Sequence, residues 1–355
     1  MTIAIHQLLP TLRREDAIGN YALNLRSFFR GKGFDSSIFV YRREAHDHDA
    51  LPWTAHRKAS SKDNIALLHT AVASPLDEYF RRLPDKKVLV YHNITPGEYL
   101  VHTDPLGARS AWLARRVLRS LAPAVQAAVA DSFFNARELS ALGFPSPSVI
   151  PLIFDWTRLE GEADEELLLR LGDGKTNILF VGKLAPNKKQ EDAIKVFYRY
   201  HRSWNPDSRL ILVGDYSGDP AYARSLFTLV ERLDLNDVVF AGKVTPEELR
   251  ACYHRAHIFL SLSEHEGFGV PLVESLFYRV PVLAYAATAV PETLGGAGIV
   301  FSEKNPEEIA CLLHRIVSDH ALKERVLKTQ DERLRFFHNF DYRSAWDAVL
   351  APLLR

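Results

Sequence analysis

The chain reads as an α/β protein built from two doubly wound, Rossmann-like units, and three observations predict it. At 355 residues it exceeds what one hydrophobic core usually serves. Short apolar runs of strand type alternate with longer helical patterns, which is the signature of parallel sheets flanked by helices. A proline- and acid-rich stretch from Pro151 through Gly161-Glu162-Ala163-Asp164 to Gly174 then interrupts that rhythm, and the same alternation resumes beyond it.

In the first half the strand candidates are 2–9, 36–41, 64–69, 87–92, 125–130 and 147–151, with helices near 17–31, 74–82, 105–121 and 132–141. The first strand is the apolar run Thr2 to Leu9, and Asp16-Ala17-Ile18-Gly19-Asn20 opens the helix after it. Val88-Leu89-Val90-Tyr91 is a buried-type strand that ends in His92-Asn93-Ile94-Thr95-Pro96. The helix at 105–121 carries Arg109, Trp112, Arg115, Arg116 and Arg119 among Leu and Val, a pattern that suits either a solvated face or contact with an anionic membrane. Ser132-Phe133-Phe134-Asn135 fits a helix N-cap better than a nucleophile.

In the second half, strands are expected near 177–182, 208–213, 237–241, 257–261, 281–285 and 298–301, with helices near 189–203, 220–233, 246–255, 270–279 and 305–318. From about 320 the chain is helical, and the piece from Trp346 to Leu354 is expected to cross back onto the first domain. The resulting division is 1–160, 175–335 and a final helix over 336–355. Two such units leave a cleft between them, and open parallel sheets bind ligands beyond the carboxyl ends of their strands.

Composition narrows the function. Lys+Arg and Asp+Glu balance at 44 each, so no general basic field for nucleic acid is present. Residues 1–160 hold 20 basic and 16 acidic side chains against 24 and 28 in the rest, which makes the first half the better candidate for a membrane or an anionic substrate. Cys252 and Cys311 are the sole cysteines, which implies a reducing compartment and no zinc site. Asp47-His48-Asp49 has the Asp-x-Asp spacing of metal-dependent transferases but no second matching element, so no metal is expected. The N-terminus lacks a signal-peptide pattern, and the apolar run at 280–290 is too short to span a bilayer. A cytoplasmic protein is expected.

The stretch richest in chemistry is Glu264-His265-Glu266-Gly267-Phe268-Gly269-Val270-Pro271-Leu272-Val273-Glu274. It follows the strand-like His257-Ile258-Phe259-Leu260 and opens a helix with Pro271 in its first turn. Backbone N–H groups over Gly267 to Val270, with the helix dipole, form a site for anions. Two carboxylates beside a phosphate site need hydroxyl-rich partners, and a nucleotide sugar supplies phosphate, ribose and sugar together. Taken alone the same run would also suit a solvated surface loop. A second strand–glycine–turn–helix passage, Val181-Gly182-Lys183-Leu184-Ala185-Pro186-Asn187-Lys188-Lys189-Gln190, offers two lysines able to reach a diphosphate.

Together these passages resemble the retaining glycosyltransferases of family 4, whose pattern is Gly-Arg/Lys, a Lys five residues on, and Glu-x7-Glu. Here those positions are Gly182-Lys183 with Lys188, and Glu266 with Glu274. The resemblance covers essentially the whole chain and implies the GT-B fold, two facing Rossmann-like domains with a central cleft. It implies that Lys183 and Lys188 bind the donor diphosphate, that Glu266 and the amides of Gly267, Phe268, Gly269 and Val270 hold the donor sugar, and that Glu274 binds ribose. Gly19 and Asn20 would face the donor phosphates, His92 the reacting sugar, and backbone near Gly242 to Val244 the base. Lys183 stands where Arg is frequent, which removes the bidentate fork and keeps the charge. The implied activity is transfer of a hexosyl group, mannosyl before others, from a nucleotide diphosphate sugar to a saccharide or lipid-linked acceptor in polysaccharide or glycolipid assembly. No metal or other cofactor is required in that reading. Independently, the 109–119 region is a candidate for peripheral contact at the inner face of the membrane. The rivals are a sugar-nucleotide epimerase or phosphorylase on the same scaffold, and a non-catalytic nucleotide-sugar-binding partner.

Overall fold

The computed structural model describes residues 3–14, 16–43 and 48–355. It divides into one unit of residues 1–98, 106–155 and 340–355 and a second of residues 99–105 and 156–339.

The first unit is a parallel seven-stranded sheet in the order β3-β2-β1-β4-β5-β6-β7. Its strands are β1 (Ile5–Leu9), β2 (Ile38–Val40), β3 (Ala50–Pro52), β4 (Ile65–Thr70), β5 (Lys86–Tyr91), β6 (Ala127–Ala130) and β7 (Ser148–Val149). Helices α1 (Ala17–Gly31), α2 (His56–Ala59), α3 (Pro75–Arg82), α4 (Pro105–Leu121) and α5 (Phe133–Ala141) connect them. β1, β4 and β5 are buried along nearly their whole length, as strands covered by helices on both faces must be, although each carries two polar residues, His6 and Gln7, His69 and Thr70, and Lys86 and Lys87. The sequence pattern missed β3, because three residues ending in Pro52 carry no periodicity and the strand survives as an edge, where a missing N–H is tolerated.

The second unit repeats the design with six parallel strands in the order β10-β9-β8-β11-β12-β13. These are β8 (Thr176–Val181), β9 (Ser208–Val213), β10 (Val238–Gly242), β11 (Ile258–Ser261), β12 (Val282–Tyr285) and β13 (Ile299–Phe301). Its helices are α6 (Trp156–Leu159), α7 (Glu165–Leu171), α8 (Gln190–Ser203), α9 (Pro220–Arg232), α10 (Pro246–Arg255), α11 (Val270–Phe277), α12 (Val290–Leu294), α13 (Pro306–Ser318) and α14 (His320–His338). Most are punctuated by local chemistry: Thr245 and Glu248 form a reciprocal capping box on α10, and Asp219, Asn305 and Asp319 cap α9, α13 and α14.

The chain passes from the first unit to the second at Asp155/Trp156, inside the proline- and acid-rich stretch of residues 151–174. Trp156 packs on Phe277 and His338, and the carbonyls of Arg158, Leu159 and Glu162 accept from Arg250, Tyr278 and Arg250 respectively, so this stretch folds with the second unit. Its acidic residues are a helix start rather than a linker, since Asp164 caps α7 and Glu165 and Glu166 fill the first turn. The last helix, α15 (Tyr342–Leu350), belongs to the first unit. There Trp346 is fully buried against Phe29, and Tyr342 donates to the Leu152 carbonyl at 2.8 Å.

Candidate active site

In both sheets the strand order reverses once, between β1 and β4 and between β8 and β11. Ligands of open parallel sheets bind outside the carboxyl ends of strands at such a switch point. In the second unit the loops leaving β8 and β11 are the two passages that the sequence singles out.

Those loops are tied together by main-chain and side-chain bonds. Glu264 N donates to the Asn187 carbonyl at 2.8 Å, and Asn187 Nδ2 donates to the His265 carbonyl at 3.1 Å. Lys188 Nζ then reaches both oxygens of Glu266 at 2.6 Å, so two residues 78 positions apart form one ion pair. Beside it, Lys304 donates to Glu264 at 2.9 Å and to Asp192 at 3.0 Å, while Lys189 lies 3.5 Å from Glu264. The loop after β12 completes the frame: Thr288 Oγ1 accepts from Glu266 N at 2.8 Å and donates to the Glu266 carbonyl at 2.7 Å.

The glycine turn is anchored from below. The Phe268 ring is buried edge-on to Phe337, and the Phe268 carbonyl accepts from Thr293 Oγ1 at 2.6 Å. Arg333 in turn caps the carbonyls of Glu292 and Thr293 at the end of α12. Gly269 adopts φ 91°, and a Cβ there would approach Leu272 Cδ1 to 2.9 Å, so the turn into α11 calls for glycine on both counts. No side chain caps α11, whose N-terminus begins at Val270.

Glu274 does not share the lysine pair. It sits on α11, where its Oε2 accepts from Tyr253 Oη at 2.7 Å, and burial raises its carboxyl above the usual range. Tyr278 stacks on Tyr253 at 4.8 Å, which locks the donor hydroxyl in place. Lys183 is exposed on the β8 loop, and its carbonyl accepts from Gln190 Nε2. Val244 lies beyond β10, the edge strand two places from β8, roughly 10 Å away by strand spacing.

Gly182 belongs to a row that sequence reading did not assemble. Val181-Gly182, Val213-Gly214 and Ala241-Gly242 end three adjacent strands in the same way. Gly214 N donates to the Gly242 carbonyl at 2.9 Å, and a Cβ on Gly214 would fall 2.1 Å from the Gly182 carbonyl oxygen. The repeated valine/alanine–glycine ending was the available signal. The other residues missed are Lys189, Glu264 and Lys304, whose pairing depends on which loops the sheet places side by side.

The first unit holds the remaining candidates. Gly19 N donates to Asp16 Oδ1 at 2.6 Å at the start of α1, and a Cβ on Gly19 would meet the Arg13 carbonyl oxygen at 1.8 Å. Backbone crowding therefore calls for glycine there, ligand or none. Asn20 Nδ2 donates back to the Asp16 carbonyl. The His92 side chain, 3% exposed, has both ring nitrogens engaged within the unit: Nε2 with His69 Nδ1 at 2.9 Å and Nδ1 with Asp131 Oδ2 at 3.3 Å. His69 continues to Gln7 Oε1 at 2.9 Å, and burial holds its imidazole well below the ordinary range, hence neutral. Gln7 gives its amide N–H to the Ala22 carbonyl, which leaves oxygen to face His69 and places the His69 hydrogen on Nε2.

Of Asp47-His48-Asp49, Asp47 lies outside the described residues, and Asp49 pairs with Arg14 and Arg26. Ser132 caps α5 by accepting from Asn135 N. Among the described residues no helix is long and apolar enough to cross a membrane.

Residues 169–333 match the family "glycosyl transferases group 1". A GDP-mannose-dependent alpha-mannosyltransferase from Mycobacterium tuberculosis is 29% identical over 258 residues, 72% of this chain and 61% of that protein. The O-antigen chain mannosyltransferase B of Escherichia coli is 29% identical over 147 residues, 41% of this chain and 38% of that protein. The chain thus spans less than two thirds of the length of these relatives. Among solved structures, HepE from Anabaena in complex with UDP and glucose superposes with a TM-score of 0.74 at 17% identity, covering 99% of both chains. The fold is GT-B in class, two parallel α/β units in one chain.

Proposed function

We propose that this chain, a glycosyltransferase of group 1 through its second unit, moves a hexosyl group from a nucleotide diphosphate sugar to an acceptor hydroxyl with retention of anomeric configuration. The observation that carries the reading is the Lys188–Glu266 pair, set by two loops at the switch point of the unit that matches the family. In this reading Lys188 and Lys183 offset charge that builds on the departing diphosphate, and the uncapped N-terminus of α11 adds its dipole. Glu266 receives sugar hydroxyls, and Glu274, held by Tyr253, receives the ribose. Lysines and helix dipole take the charge-neutralising role, so no metal is assigned. Mannose is the preferred sugar because two relatives are named for mannosyl transfer. Catalysis is positional and electrostatic, with no protein nucleophile.

The acceptor is proposed to be lipid-linked. α4 supports this by presenting exposed Leu106, Trp112 and Leu113 beside exposed Arg109, Arg116 and Arg119, the composition of a face that rests on an anionic membrane. Arg115, grouped with these by sequence, instead turns inward to Glu138 at 2.5 Å and to the Ile94 carbonyl.

The test is incubation with GDP-mannose, UDP-glucose and ADP-glucose against an extracted lipid-linked acceptor pool. The expected result is release of nucleoside diphosphate that depends on acceptor, with an α-linked product from an α-linked donor. Product of inverted configuration would overturn the retaining assignment, and interconversion of the donors without acceptor would replace transfer by epimerisation.

A further inference from the structure

The lysine assigned to the diphosphate already has an anionic partner. Lys188 Nζ contacts both Glu266 oxygens at 2.6 Å, with the two side chains 18% and 14% exposed. A phosphate that approaches Lys188 competes with Glu266 for the ammonium and sets a second anion beside the carboxylate, which favours its departure. The neighbouring cations are committed elsewhere: Lys304 is shared by Glu264 and Asp192 and lies over the Tyr285 ring at 4.7 Å, and Lys189 sits between Glu191 at 3.4 Å and Glu264 at 3.5 Å. The Glu266 backbone is fixed by Thr288, so its carboxylate moves by side-chain torsions alone. A displaced, half-buried carboxylate needs hydrogen-bond donors, and sugar hydroxyls supply them. A nucleoside diphosphate alone brings the competing phosphate without those hydroxyls.

We propose that the Lys188–Glu266 ion pair discriminates an intact nucleotide sugar from the nucleoside diphosphate left after transfer. This rests on the donor reading above and adds a partner exchange to it. With the intact donor, Lys188 passes from Glu266 to phosphate while Glu266 passes from Lys188 to sugar hydroxyls, so both groups stay satisfied. Once the sugar has moved to the acceptor, Glu266 loses its donors and reclaims Lys188, which weakens the hold on the product and speeds its departure. Glu266 is in this sense a specificity determinant for the glycosylated ligand.

Calorimetric titration of the full chain with GDP and GDP-mannose, then UDP and UDP-glucose, tests it in wild type and Glu266→Gln. The carboxamide keeps the shape and removes the competing charge. The expected signature is divergence: the nucleoside diphosphate binds Glu266→Gln roughly threefold or more tighter than wild type, while the hexose conjugate binds about tenfold weaker. In the double variant Lys188→Met/Glu266→Gln the gain for the diphosphate disappears, because the lysine it depends on is gone. Parallel weakening of both ligands, or no change in either, overturns the exchange and leaves the donor reading standing. Absence of binding by wild type to all four ligands overturns the donor reading itself and the exchange with it. Should Glu266→Gln melt well below wild type, Glu266→Ala is read by the same divergence.

Discussion

At the scale of single residues, the candidate site divides into groups defined by charge and groups defined by close approach. Lys188 and Glu266 were legible because a strand, a glycine and a helix start surround each, and the charged residue types are unambiguous. The grip on Glu274 was not legible, since Tyr253 lies 21 positions earlier and reaches it only through the packing of α10 on α11. Tyr253→Phe removes a buried hydrogen bond to a carboxylate, a contact worth about 1.5–3 kcal/mol, and should weaken nucleotide binding with little change in turnover at saturation. Equal loss in kcat would contradict a ground-state role. Gly214→Ala places a Cβ against the Gly182 carbonyl, and both strand ends must shift. A loss of about 2 kcal/mol or more in stability is expected from thermal unfolding, together with weaker nucleotide binding.

At the scale of elements, the decisive features are the loops and what braces them. The glycine turn between β11 and α11 rests on Phe268 beneath it and on Arg333 from α14, which caps the end of α12 and packs over Phe336 and Phe337. Arg333→Met should preserve the ring packing, release the two carbonyls and raise hydrogen exchange over residues 266–272, while exchange in β8 and β9 stays unchanged. In the first unit, α4 was read from sequence as basic and amphipathic, and exposure refines that reading by turning Arg115 inward. Leu106 is 78% exposed, so Leu106→Asp should cost little stability. Combined with Leu113→Asp it should reduce co-sedimentation with phosphatidylglycerol vesicles severalfold if this face meets the bilayer. Unchanged vesicle binding would remove α4 from the membrane proposal.

For the whole molecule, pH is the variable that reads its interior. Burial lowers His6, His56 and His69, with His56 falling to about 4 from 6.5, and all three lie in the first unit. A histidine whose folded value is depressed contributes stability that is complete above 6.5 and is lost as pH falls toward its folded value. Asp77, raised by burial to about 6, and Asp85, also raised by burial, act with the opposite sign, because their folded forms retain protons that the unfolded chain releases. The carboxyls oppose the histidines only below about pH 6, where folded Asp77 takes up its proton, and three histidines act there against two carboxyls. The melting temperature should accordingly decline between pH 6 and 4, and His56→Gln should flatten that decline. A profile that rises toward pH 4 would show the carboxyls in control.

The sequence by itself determined the repeated strand–helix alternation, because apolar periodicity and caps are local properties that any fold must respect. It also located the two loops and the residue types in them, since glycine turns and charged clusters are written in consecutive positions. Only the tertiary structure decided that the chain passes from one unit to the other at Asp155/Trp156 and that β3 forms an edge. It alone decided that Lys188 meets Glu266 while Glu274 meets Tyr253, and that His92 is held between His69 and Asp131. Each of these is a contact between residues distant in sequence, and its energy depends on which strands the sheet makes neighbours, a quantity no local window contains.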